Sequence, residues 1–491
     1  MNPMGTIAAL HFSHWTNIFA ALSGSIDLAI KNLMSVGSPC PCKDKLMKQR
    51  QLISSPGRHV GRTLKGSGES TRNCFFIHIS RPKTQPDSQP YPPSDMPNLK
   101  LDLNFPSDVI TDILCQLPVK TLLRFRCASK RWCSQIDSPD FIKIHLSHSL
   151  ATKSNLSLLL KNWYLYSVEL DSLRTASELN PPLNVIWGVT DVFGSCNGLL
   201  AVCNSEEEMA LWNPSTRKHQ ILPVMPVEAP KGYVNVKPRR FTFYGFGHDP
   251  ISDDYKVVRM VQFVGDNGFF SAEVKVYSLK TNSWRGIKNI PYYIRYLFQL
   301  GYLLFYRRGY AALAGGALHW VVPGGFGWYC MIVAFDLVAE EFRIVPQPDH
   351  VDGGFVMDLG VLEGHLCMIC NYGNDFVDVW LMKEYGLKES WTKLFKVSQS
   401  SLNRDFGQVM PLAYSKSGDK DKVLLELDKE KLLWYDLRRR RAKTVRIEGA
   451  PNSFNAGVYV ESLVPLGGGR MDGKTQQPAS EEKKKSNRKK M

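Results

Sequence analysis

The chain has 491 residues, 44% of them hydrophobic and 22% charged, a balance that excludes a wholly disordered protein and leaves room for two or three folded domains. Its net charge of +15 sits mostly at the ends. Residues 1–96 and 467–491 together carry eleven of the fifteen charges, so the middle is only mildly basic and offers no ground for a nucleic-acid partner.

At the start, the apolar run from Ile7 to Ile30 is broken by His11, Ser13, His14, Asn17 and Asp27, which excludes a clean membrane span. Basic sequence follows, then a Pro-rich run from Arg81 to Met96. Scarce acids give this stretch some likeness to an import signal, but residues 1–95 are read as a disordered extension or an artefact of start-site assignment. The eleven cysteines contain no two CxxC units, and the lone one, Cys367 to Cys370, lies in an apolar run. They are expected to be free thiols of a reducing compartment.

Helical periodicity begins at Pro106, whose missing N–H costs nothing at a first helical position. Val109, Ile110, Ile113, Leu114 and Leu117 fall on one face, while Asp108, Thr111, Asp112 and Gln116 fall on the other. Pro118 ends this helix by disfavouring helical geometry at Leu117. A second helix from about Val119 supplies Leu122, Leu123 and Phe125, and Ser129 suits the cap of a third carrying Trp132, Cys133 and Ile136. About forty residues with few aromatics make a marginal core, so the stripe is expected to be completed by another protein.

The run Pro106, Ile113-Leu114, Leu117-Pro118, Arg124-Phe125-Arg126, Ser129-Lys130 and Trp132 resembles the F-box, with Phe105 where the family usually has Leu. Such chains typically begin near Met96. The resemblance places an F-box at about residues 99–145. It implies that Phe105, Pro106, Ile110, Ile113, Leu114, Leu117, Pro118, Val119 and Leu122 dock on a Skp-type linker subunit of a cullin-RING ubiquitin ligase. Phe125, Trp132 and Ile136 would form the F-box's own core. Residues 146–160 are read as a stiff helical junction.

From about residue 155 the period becomes alternating, and aromatic, β-branched and Gly residues increase. One unit then recurs: Tyr166-Ser-Val-Glu-Leu-Asp171, Leu211-Trp-Asn-Pro214, Val276-Tyr-Ser-Leu279, Ala334-Phe-Asp-Leu337, Val379-Trp-Leu381 and Leu433-Trp-Tyr-Asp-Leu437. The spacing of roughly 45–65 residues is near that of kelch blades. A Gly-led apolar strand precedes most copies, as at Asn197-Gly198-Leu199-Leu200, Gly316-Ala317-Leu318 and Gly364-His365-Leu366. The fold expected is mainly β with a small α domain, a three-helix unit followed over residues 161–466 by an irregular kelch-like propeller of five or six blades. The motifs Ser195-Cys-Asn-Gly-Leu-Leu200, Leu211-Trp-Asn-Pro-Ser-Thr-Arg217 and Gly245-Phe-Gly-His-Asp-Pro-Ile-Ser-Asp-Asp-Tyr-Lys-Val-Val258 resemble the F-box-associated domain of a large plant family. That likeness implies capture of a protein substrate.

Tests for chemistry come out bland. Asp249, Asp253 and Asp254 lack calcium-loop spacing and read as turn carboxylates, and Gly324-Gly-Phe-Gly327 lacks the ending of a phosphate loop. His145 and His148 have no acid in catalytic register. No cofactor, metal, nucleic acid or membrane is expected, and the chain is read as a non-catalytic adaptor in the cytoplasm, the nucleus or both. Substrate loops around Tyr292–Tyr296 and Phe326, Trp328 and Tyr329 read equally as inter-blade packing. The run Arg438–Arg441 reads as a solvated turn that an acidic or phosphorylated partner could use. Residues 467–491 form a disordered basic tail whose lysines resemble a nuclear signal. Alternatives are an F-box scaffold working without cullin, a stand-alone propeller module, and a propeller enzyme.

Overall fold

Pro118, Ser138 and Pro139 punctuate the helical part of the chain. The computed structural model describes residues 107–466 except 184–189, 206–207, 229–238, 265–269, 289, 292–308, 324–329, 350–353, 374, 403 and 417–419. Residues 107–113 and 127–130 belong to one compact unit, and Leu114–Arg126 with the described residues from Arg131 onward to another. The helices are α1 (Ser107–Cys115), α2 (Val119–Phe125), α3 (Lys130–Ile136) and α4 (Pro139–Thr152). Phe125 and Trp132 meet with ring centroids 5.1 Å apart and planes tilted by 36°, Ile136 is buried, and Arg126 pairs with Asp137 at 2.6 Å. At the head of α4, Pro139 takes the first position and the Ser138 hydroxyl accepts from the Phe141 N–H. Left-handed Lys153 ends the helix, and Leu156 already begins a strand. The helical junction expected over 146–160 therefore stops at Thr152.

Six four-stranded antiparallel sheets follow. The second contains Asp191–Cys196, Leu199–Cys203, Met209–Asn213 and Lys218–Ile221. The third contains Arg239–Asp249, Asp254–Val264, Phe270–Ser278 and Ser283–Gly286, and the fourth Ala312–Ala314, Ala317–Pro323, Cys330–Asp336 and Phe342–Val345. The fifth runs Val356–Leu362, His365–Asn371, Phe376–Met382 and Trp391–Ser398, and the sixth Val409–Tyr414, Lys422–Leu427, Lys431–Asp436 and Arg441–Val445. The first joins both ends of the domain: its innermost strand is Asn455–Val460, paired with Leu156–Lys161, and Leu165–Glu169 and Ser177–Leu179 lie outside. Each innermost strand contacts the innermost strand of the next sheet all the way round, so the sheets are the blades of a closed six-bladed propeller.

The repeated sequence units have direct physical counterparts. All six copies are the third strands of the six blades, read in order. Asn213, Asp336 and Asp436 end three of them, and each side-chain oxygen accepts two N–H groups of the following turn. The turn closes on a left-handed residue, Arg217, Glu340 or Arg440. The Gly-led signal marks two-residue hairpins, because Asn197-Gly198, Gly315-Gly316 and Glu363-Gly364 have positive φ at both positions. Gly198 has a second reason to be glycine: a Cβ there would strike the Ser462 side chain and come within 2.9 Å of the Val460 carbonyl.

Charged groups tie blade to blade. Lys256 is buried against Asp249 and Glu340, each at 2.8 Å, and donates to the Leu337 carbonyl at 2.6 Å, joining the third blade to a turn of the fourth. Burial opposes ionisation of Asp249, yet hydrogen bonds from Lys256, Ser252 and Ile251 hold its carboxyl well below the usual range. The carboxylates of this motif thus build a turn and an inter-blade tether.

One buried group makes the ring sensitive to acid. His319 Nδ1 lies 3.0 Å from the Ala312 carbonyl, which can only accept, so Nδ1 carries the proton and Nε2 accepts from the Tyr385 hydroxyl at 2.8 Å. Burial pushes the imidazole down to about 4. Below the unfolded pKa of about 6.5 the unfolded chain takes up a proton that the folded chain refuses, so stability falls with pH until about 4. Urea midpoints at pH 7 and pH 4.5 should show a loss on the order of 2–3 kcal/mol from this residue. His319→Asn, which keeps a donor toward Ala312, should lose less over the same interval; equal losses would show that His319 is not the sensor.

Candidate interaction surfaces

Exposed side chains concentrate on the helices and at the turn-bearing ends of the ring. On the helices, Leu114, Leu117, Val119 and Leu122 are each 5% exposed or less, so the chain itself covers them. Pro118 is exposed, Val109 is 39% exposed, and Ile110 and Ile113 are half-buried. Phe105 and Pro106 lie outside the described residues. The apolar stripe therefore divides into residues serving the chain's own core and residues open to a partner. Cys115 is buried, whereas Cys127 is exposed.

His145, one half of the HxxH pair, is buried on α4 with Nε2 3.0 Å from the Leu117 carbonyl. A carbonyl only accepts, so Nε2–H donates and ties α4 to the residue that precedes Pro118. Burial lowers its pKa, consistent with a neutral structural imidazole.

Strand order gives the ring two unlike ends. The turns between first and second strands, and between third and fourth, emerge at one end; the turns between second and third strands emerge at the other. Helix α4 lands on the first end. Lys143 pairs with Asp253, in the first turn of the third blade, at 3.0 Å, and Lys153 pairs with Glu363, in the first turn of the fifth. Burial alone would raise the Glu363 pKa, but hydrogen bonds from Lys153 and Lys420 hold it below its ordinary value. None of these anchor residues was expected, because no local pattern distinguishes an interfacial Lys or Glu from a solvated one.

At the opposite end, Trp163 and Tyr164 project from the turn joining Leu156–Lys161 to Leu165–Glu169, 73% and 60% exposed. Two large aromatics at a hairpin tip are out of place for packing, and the sequence signal, aromatics between two apolar strands, was available there. The two substrate loops expected around Tyr292–Tyr296 and Phe326–Tyr329 lie outside the described residues. Among the described residues no group of three or more His, Cys, Asp or Glu could hold a metal ion. Cys367 and Cys370 are buried free thiols pushed up to about 12 by desolvation, which keeps them protonated and inert.

Residues 103–144 match the model of the F-box domain, and residues 169–464 that of the F-box associated beta propeller domain. The F-box protein CPR1 of Arabidopsis thaliana is 47% identical over 370 residues, covering 73% of this chain and 88% of that one. The F-box protein At4g22390 of the same plant is 37% identical over 372 residues, 73% and 90% of the two chains. The F-box/kelch-repeat protein At3g23880 is 30% identical over 307 residues, 60% and 79%.

Proposed function

This chain belongs to the F-box proteins that carry an F-box associated β-propeller domain, and from that membership we propose that it is a substrate-recognition subunit of a Skp-cullin-F-box ubiquitin ligase. The observation that carries the reading is the joining of the two modules by α4. One helix leaves the F-box and is anchored by Lys143 and Lys153 to a single end of the ring, while Trp163 and Tyr164 stand exposed at the other. The F-box would dock on a Skp-type linker through Phe105, Pro106, Val109, Ile110, Ile113 and Pro118, whereas Leu114, Leu117, Val119 and Leu122 are already covered by the chain itself. The ring would hold a protein substrate.

The chemistry asked of such a subunit is proximity. Holding a substrate lysine near a charged ubiquitin carrier replaces a bimolecular encounter with a local one and raises effective concentration without a catalytic group. A linker held rigid by a helix suits this better than a flexible tether, which spreads the substrate over a larger volume. The reading needs no cofactor, and it places the chain in the cytoplasm or nucleus, where cullin ligases work.

Co-purification of the chain with a Skp-type linker and a cullin tests the proposal. Recovery of both partners supports the receptor; recovery of the linker with no cullin favours the scaffold; recovery of neither, by a folded chain, removes the proposal.

A further inference from the structure

The sixth blade carries a cleft of about 450 Å³ lined by Lys422, Arg439, Arg441 and Lys443 beside Trp434 and Asp436. Strand pairing builds it: Trp434 lies opposite Lys443, and Asp436 lies opposite both Lys422 and Arg441, so alternate residues of three strands share one face. Arg439 from the adjoining turn completes the wall. Four cations thus surround one half-buried indole and one carboxylate, in a domain whose sequence is otherwise only mildly basic.

The cations just outside the cleft are occupied. Lys416 pairs with Asp171, Lys420 with Glu363 and Arg438 with Asp421. Among the described residues Lys422, Arg439, Arg441 and Lys443 form no ion pair. Asp436, whose Oδ1 accepts the Arg438 and Arg439 N–H groups that shape the turn, attracts Arg439 and Lys422 but offsets only one of the four positive charges. Positive charge remains in excess around that one carboxylate, and a compact multivalent anion offsets it better than a second single carboxylate would.

We propose that this cleft binds a phosphorylated peptide segment, with Arg439, Arg441, Lys422 and Lys443 on the phosphate and Trp434 against the neighbouring peptide. Guanidinium forks suit phosphate oxygens, and an indole flanked by charge gives an apolar floor that free phosphate would not use. A volume of this size accommodates one modified side chain with a flanking residue. Nucleic acid is disfavoured by shape, because its phosphates need a track of cations, whereas these four close around a single spot. The assignment rests on the receptor reading, for which it names a substrate class: proteins presented after phosphorylation.

The test uses the full chain mixed with a Skp-type linker subunit and an immobilised library of peptides carrying fixed phosphoserine, phosphothreonine or phosphotyrosine in degenerate flanks. The same library unphosphorylated and a single-stranded oligonucleotide serve as competitors. The expected result is retention by phosphorylated peptides alone, reduced at least tenfold by Arg441→Glu with Lys443→Glu, and weakened by Trp434→Ala. Both charge reversals are at exposed positions, and an unchanged melting temperature is read alongside. Equal retention of unphosphorylated peptides, stronger competition by the oligonucleotide, binding unaffected by the double variant, or no retention would each overturn the cleft. Linker capture is scored in the same samples: if it persists while peptide retention fails, only the cleft is lost, and if it fails while peptide discrimination survives, the ligase role is lost and the cleft stands.

Discussion

A chain ending at Phe454 should fail to fold. The segment it lacks supplies the innermost strand of the first blade, Asn455–Val460, paired residue for residue with Leu156–Lys161. It also buries Tyr459, Val460, Leu463, Val464 and Leu466. Five such side chains contribute on the order of 7–15 kcal/mol at roughly 1.5–3 kcal/mol each, as much as the whole net stability of a typical domain. The loss is also topological, because the fifth and sixth blades remain while the ring stays open and Leu156–Lys161 becomes an unpaired edge inviting aggregation. Gel filtration and circular dichroism of the truncated chain should show aggregate or an absence of soluble protein. Asn213→Ala is the gentler probe: Asn213 is fully buried and donates to the Ser462 and Val464 carbonyls at 3.1 and 2.9 Å while its oxygen shapes the turn after the third strand of the second blade. That variant should lose about 2–3 kcal/mol and still fold. A monomeric truncated chain with a native melting temperature would show that the closing strand is dispensable.

Val109→Glu combined with Pro118→Ala should abolish capture of the linker subunit while leaving thermal stability nearly unchanged. Both residues are exposed, so their replacement costs the fold little, within about 0.5 kcal/mol. A charge placed in an apolar docking face would cost at least about 2 kcal/mol of binding, roughly thirtyfold. Leu122→Ala is the contrast. Leu122 is fully buried, so that change should remove about 2–5 kcal/mol of stability and weaken capture only as a consequence of a loosened fold. Titration of labelled linker against all three chains, beside their melting curves, separates the outcomes. Undiminished capture by the double variant would move the docking face away from Val109 and Pro118.

Much of this architecture is legible locally. A Gly with positive φ in a two-residue hairpin and an Asn or Asp that accepts two turn N–H groups are short-range devices, so Asn197-Gly198 and Trp212-Asn213 announce themselves in sequence. Repeating them gives five or six blades, and the closure of the ring fixes the number at six. What stays hidden is what distance creates. Leu156–Lys161 reads Leu-Ser-Leu-Leu-Leu-Lys without alternation because it is buried on both faces, and its partner strand lies about three hundred residues away. The stripe from Val109 to Leu122 shows the same limit: periodicity says which residues avoid water, and only the folded chain shows that Leu114, Leu117, Val119 and Leu122 are covered from within.

The two lysine anchors of α4 make that helix a gauge of phase as well as length. Lys143 and Lys153 are ten residues apart, about 15 Å along a helix, and they meet turns of two blades with one blade between them. Adding or removing a single residue between them would shift the second anchor by about 1.5 Å and turn it by roughly 100° about the helix axis. Both pairs could not then form together. The linker is therefore far more tolerant of substitution than of any change in length: a new side chain leaves the bearing of the helix intact, whereas an extra residue re-aims everything the helix carries.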